Sequence, residues 1–324
     1  MGRYIASRIG QAFLVLWAAY TASFVLLAVL PSDPISIRIS APDSGLTPED
    51  GERLREYYGL DQPIVAQYLH HLLGVLRGDF GYSLTRGTEV RTLIAEALPS
   101  TIQLTAFSLL AGLLIAGALG VAASYSRFGW LRGLLLSVPP LFASVPTFLI
   151  GILFLQVFSF ELGWLPAVGD SSASALVAPV LTLGIAVSAP LAQVLIRTLD
   201  SIKREQFVQV VLAKGADDGY AFRHHVLRNS ILPWLTLLGL TIGELIAGSL
   251  VTETVYSRDG IGRLTQSSVQ AQDLPVIQAV VLLAASVYVL VNLVIDLLYP
   301  LVDPRIRLTG GPARIRAHKV KEAA

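Results

Sequence analysis

The sequence predicts an all-α polytopic membrane protein with six transmembrane helices and a small outer domain between the first two spans. Three observations lead there. The chain of 324 residues is 53% hydrophobic and only 15% charged, far more apolar than an ordinary soluble domain. It holds six apolar runs long enough to cross a bilayer, which takes about 20 residues at a rise of 1.5 Å. Its Lys and Arg residues are spread unevenly over the segments that join those runs. The formal net charge of +1 gives no bulk attraction to nucleic acid, and the absence of cysteine excludes disulfides and thiolate metal sites.

The first run, Ile9–Leu30, is too long for the apolar core of a signal peptide. "LAVLPSDP" offers no small-x-small cleavage site either, so residues 1–30 are taken as a short N-terminus and a retained span. Residues 31–98 are too long for a mere connector and are expected to form an extracytoplasmic cap. Within it, Thr47 can cap a helix with Pro48 at its first position, and Glu49, Asp50 and Glu52 complement the positive helix end. A second helical run, Ile64–Leu76, follows Pro63.

Residues 99–301 hold the other five spans, placed at Pro99–Ala123, Gly133–Phe158, Leu176–Ile196, Ile231–Val251 and Pro275–Pro300. In the second span Gly112, Ala116, Gly120 and Ser124 recur every fourth residue, and Gly239, Gly243 and Ala247 recur similarly in the fifth. Such small-residue stripes let helix backbones approach closely in lipid, within one chain or between subunits. Pro139, Pro140 and Pro146 are expected to break the third span and Pro190 the fourth. A broken helix either lines a pathway or is a kink that serves packing, and Pro146 and Pro190 are the pathway candidates.

Two acidic residues fall inside the spans, Glu244 and Asp296. Asp296 is four residues from Pro300, roughly 6 Å from the end of its span, and reads as structural, its carboxylate either reaching the interface or pairing with Asn292 one turn back. Glu244 is 13 residues beyond Ile231, roughly 20 Å into the bilayer, where a charge costs about 2.5–3.5 kcal/mol. It faces protein or a water-filled path, either in a functional role or as a protonated carboxyl hydrogen-bonded to a neighbouring helix.

With the N-terminus placed in the cytoplasm, the inner segments carry sixteen Lys and Arg residues and the outer ones eight, six of which sit in the long 31–98 segment. Both termini are therefore expected inside, the second as a basic tail over residues 302–324. No phosphate-binding loop, HExxH or GxSxG occurs, so no catalytic residue is assigned. His224 and His225 point about 100° apart on a helix and cannot act as one ligand pair. Asp217–Asp218 suit a turn and a helix cap.

The longest inner loop contains "LAKGADDGYAFRHHVLRNSILP", Leu212–Pro233. Ile202, Phe207, Val210 and Val211 make an amphipathic turn or two, Gly215 can end it in a left-handed conformation, and a second helix follows toward Pro233. Such a shape is a docking knob; a loop lying on lipid headgroups is the alternative. "AKG…HHVLRNSILP" resembles the cytoplasmic signature of ABC importer permeases. More narrowly, "LPSDP", "YYGLDQPIVAQY", "RGDFGYSL", "SVPTFLIG", "VTETVYSRDGIGRL" and "DLLYPLVDPRIR" resemble, in that order, the first permease subunit of the dipeptide/oligopeptide/nickel group.

The resemblance implies a type I ABC importer permease fold in a bacterial plasma membrane, one half of a heterodimeric path for small peptides. A nickel-chelate or opine importer of the same group is the alternative, and a proton-driven secondary transporter using Glu244 a remoter one. It implies a second permease subunit, one or two ABC ATPase subunits that bind ATP and Mg, and an extracytoplasmic solute-binding protein as partners. No cofactor is expected in this chain. Residues 200–230 become the coupling loop, with Gln209, Ala213, Lys214, Gly215, Ala216 and Asp217 meeting the ATPase. Where relatives often have EAA-like residues or "RTARAKG", this chain has "QVVLAKG", which removes a charge and adds bulk. Glu244 stands where an apolar or small residue is expected, which marks it as particular to this transporter's cargo.

Overall fold

The computed structural model describes residues 2–29, 47–58, 62–166 and 173–302. The basic tail lies outside the described residues, as does the side chain of Asp296. The elements are α1 (Gly2–Val29), α2 (Pro48–Tyr58), α3 (Ile64–Leu76), α4 (Val90–Tyr125), α5 (Gly129–Ser144), α6 (Thr147–Phe154), α7 (Val177–Lys203), α8 (Gln206–Ala213), α9 (Asp218–Ala221), α10 (Leu227–Val255), α11 (Ile261–Gln270) and α12 (Leu274–Val302). Among the described residues five helices are long and apolar enough to cross a membrane, and six spans result when the bent pair of α5 with α6 is counted as one.

The centre of the fold is α4 packed along α7. The small-residue stripe of α4 explains the fit, and it serves contact within the chain. A side chain on Gly112 would meet Val187 at 3.1 Å, and one on Gly120 would meet Leu195 at 2.6 Å. Gly184 of α7 answers from the other side, 3.0 Å from Ala111 by the same measure. Leu104, Ala116, Leu183, Leu191 and Leu245 fill the core around this seam, and α10 closes over it. The second stripe also works inside the chain, since Gly243 faces the Tyr288 ring of α12.

Prolines act differently from expectation at three places. Pro190 does not break the fourth span, because α7 continues through it while both neighbours, Ala189 and Leu191, are fully buried. Packing on both sides holds a helix that has lost one backbone bond. Pro99 likewise lies inside α4, which starts at Val90, because Val90 and Leu93 pack against Leu264 and Val276. In the third span Pro139 and Pro140 stay helical and the break falls at Pro146, where the two halves meet at 101°. Val145, forced away from helical geometry by the proline after it, is extended at φ −98° and ψ 124°.

Candidate coupling segment and outer cluster

At the end of α7 the chain turns through Arg204 and Glu205 into α8. Val208 is the buried anchor of α8, packed with Leu195, Leu199, Ala221 and Val226, while Ile202 and Val211 lie partly buried beside it. Phe207 and Val210, grouped with them from the sequence, are exposed. Gly215 ends α8 with φ +90°, a conformation that side chains rarely adopt, and the space where a Cβ would stand is open. Asp217 then caps α9, its carboxylate accepting from the Tyr220 amide at 3.2 Å.

The second helix of the knob does not stop at Pro233. A π turn over Phe222–Val226 joins α9 directly to α10, so the knob is the N-terminal end of a membrane helix. Two contacts anchor its base. Lys203 donates to the Ser124 carbonyl at 2.7 Å, the C-terminal end of α4, with its ammonium 3.9 Å from the centre of the Tyr125 ring. Arg132 pairs with Asp200 at 2.6 Å, tying α5 to α7. Gln209 donates to the Lys203 carbonyl at 3.0 Å, and the tip residues Ala213, Lys214, Gly215 and Asp217 are exposed, with Ala216 half-buried.

The pathway candidates are not gathered in one place by direct contacts. Glu244 lies exposed on the face of α10 that also carries Leu240 and Ala247, whereas Thr241, Leu245 and Ser249 point into the core. Pro146 is exposed at the bend and Pro190 half-buried inside α7.

Sequence reasoning missed the acid that the fold buries most completely. Glu253, near the C-terminal end of α10, is fully buried. Thr101 of α4 donates to it at 2.6 Å, and the amides of Gly262 and Arg263, in the first turn of α11, donate at 2.7 Å and 3.4 Å. Thr101 in turn accepts from the Ile261 amide at 2.8 Å. Thus a carboxylate sits on a helix N-terminus, where free amides and the helix dipole favour negative charge. The detectable signal was an acid followed by two glycines in "ETVYSRDGIG".

A second buried acid, Asp273, lies between α11 and α12 and holds a turn rather than a helix end. It accepts from the Ser83 hydroxyl, from the Thr85 hydroxyl at 2.8 Å and from the Leu84 amide at 3.1 Å. The turn of "RGDFGYSLTRG" is thereby fastened to the junction of α11 and α12. Beside these two acids opens a cleft of about 420 Å³ lined by Arg86, Glu96, Asp259 and Arg263 among others.

The bundle of apolar spans organised around α4 and α7, with a glycine-hinged knob continuous with α10, is that of a membrane permease, and the comparisons agree. Residues 108–308 match the binding-protein-dependent transport system inner membrane component, and residues 1–105 match its N-terminal part. The chain belongs to this family and is a permease of an ABC importer. It is similar to the glutathione transport system permease protein GsiC of Escherichia coli strain K12, 35% identical over 307 residues, covering 95% of this chain and 99% of that one. The Salmonella typhimurium GsiC is 36% identical over the same shares. The fold resembles an inward-facing structure of the MetNI methionine ABC transporter, with TM-score 0.56, 18% identity, 65% of this chain and 96% of that one covered.

Proposed function

We propose that the chain forms one half of a heterodimeric path that imports small peptides, driven by ATP and Mg bound on separate ATPase subunits. Cargo is delivered by an extracytoplasmic binding protein at the outer cleft, and both termini and the 200–230 segment face the cytoplasm. The observation that carries this reading is the continuity of the knob with α10. A push on the exposed tip around Gly215 is passed into a helix whose far end holds Glu253 and, through it, α11 beside the cleft. Gln209, Ala213, Lys214, Gly215, Ala216 and Asp217 are the ATPase-facing residues of this scheme. Phe207, Val210 and Tyr220, exposed around them, supply the apolar surface that a protein partner would cover.

Peptide cargo is supported by the similarity to permeases named for glutathione, itself a small peptide. Glu244 is assigned to the path because it is an exposed carboxylate within the Leu237–Val255 span, where a charge facing lipid is costly. The test is copurification of the chain with its second permease and ATPase subunits, followed by ATP hydrolysis with and without the loaded binding protein. Stimulation by the loaded protein supports the reading; uptake by the permease pair without bound ATPase subunits would refute it.

A further inference from the structure

The helix α3, expected in a water-exposed cap, carries three distinct stripes. Tyr68 and His71 face α1: the Tyr20 hydroxyl donates to the Tyr68 carbonyl at 3.0 Å, the Thr21 and Tyr68 hydroxyls are 2.8 Å apart, and Phe24 packs on both Tyr68 and His71. At 100° per residue, Gln67, His70 and Gly74 form a second, polar stripe. The third, Val65, Leu69, Leu73 and Leu76, is 70%, 51%, 53% and 66% exposed. Thus α3 has no fully buried residue and no charged one, and it displays a continuous apolar row.

We infer that this third stripe lies against the acyl chains of the outer leaflet, making α3 an interfacial membrane helix. Depth is the deciding observation. Tyr20 is six residues inside the outer end of the Ser7–Leu26 span, about 9 Å. The side chain of Gln278, which faces the Tyr20 hydroxyl, is four residues inside the start of the Leu274–Val294 span, about 6 Å. With the ends of these two apolar runs at the bilayer boundary, the stripe of α3 that meets Tyr20 lies about 6–9 Å below it, within the depth of about 5–10 Å where amphipathic interfacial helices ride. Continuity supports the same occupant, because Val25 and Leu26 on the outer turn of α1 are also exposed and apolar. A binding protein would have to enter the hydrocarbon to reach this row.

The chain contains no cysteine, so one introduced thiol is its only labelling site. Spin labels at Leu73→Cys, at Val65→Cys and at His70→Cys are compared in the assembled complex in phosphatidylcholine vesicles, with partner cysteines replaced. The accessibility ratio of oxygen to a water-soluble nickel chelate should be several-fold higher at Leu73 and Val65 than at His70. Equal ratios, or greater access of the chelate at Leu73, would place the row in water and overturn the inference. Immobilised labels shielded from both reagents would assign the row to a protein partner and overturn it equally. Transport is not part of the readout, so failure of the cargo assignment leaves this test intact.

Discussion

The carboxylate of Glu253 occupies the space that a side chain on Gly260 would need. A methyl group there would collide with the carboxyl carbon and both oxygens, while one on Gly262 would collide with the Leu250 backbone and approach the same carboxylate to 2.8 Å. The two glycines and the acid of "ETVYSRDGIG" are thus one fitted unit that fastens α11 to α10 and α4.

Gly260→Ala should therefore lower the thermal midpoint of the purified complex by the equivalent of about 1–3 kcal/mol, the usual cost of overpacking. Asp259→Ala, at an exposed neighbour, should change it little. In a Glu253→Ala background the cost of Gly260→Ala should fall, because the obstructing group is gone; a double-mutant cycle measures that coupling.

Removing the acid itself strands its donors. Glu253→Ala leaves the Thr101 hydroxyl and the Gly262 amide without their acceptor, each at about 1–3 kcal/mol when buried. Glu253→Gln keeps one acceptor oxygen but sets an NH2 group against a donor, so its stability should fall between wild type and alanine. Thermal denaturation of the three proteins side by side gives the order.

Much of this architecture is legible from residue chemistry. Pro63 and the uncharged run after it define Ile64–Leu76, and the glycine of "AKGADDG" has the left-handed backbone that its position between two apolar stretches demands. Glu253 was hidden by depth and distance. It stands two residues beyond the expected end of the fifth span, and its partner Thr101 is 152 residues away. Nothing local says that an acid at a span's edge turns inward. Pro190 misled for the opposite reason, since its local signal is strong but Ala189 and Leu191 are packed on either side of it. Pro146 bends its span because, at the exposed end of α5, no comparable packing resists.

Glu244 tests the path. A peptide carries an α-ammonium group, and a carboxylate in a low-dielectric path offsets part of its desolvation. Glu244→Gln should reduce uptake of free-amino peptides and spare an N-acylated analogue, with no change in thermal midpoint, because the side chain is exposed and outside the core. Equal wild-type uptake of both forms would remove Glu244 from cargo handling.

The seam between α4 and α7 should tolerate little. Gly120→Ala brings a methyl to 2.6 Å from Leu195, and Gly112→Ala one to 3.1 Å from Val187. The first should destabilise by about 1–3 kcal/mol and the second by less. Gly117→Ala, on the same helix with open space around it, is the control.

The central claim is that the knob at Gly215 transmits the ATPase stroke into α10. Gly215 has φ +90° with open space at the Cβ position, so Gly215→Val strains the backbone by about 1–2 kcal/mol and meets no atom of this chain. The direct measurement is ATP hydrolysis and peptide uptake by the reconstituted Gly215→Val complex, with subunit composition checked by mass. The account predicts bound ATPase subunits, basal hydrolysis retained, stimulation by the loaded binding protein lost and uptake lost with it. Wild-type uptake by a complex that keeps its ATPase subunits would contradict it.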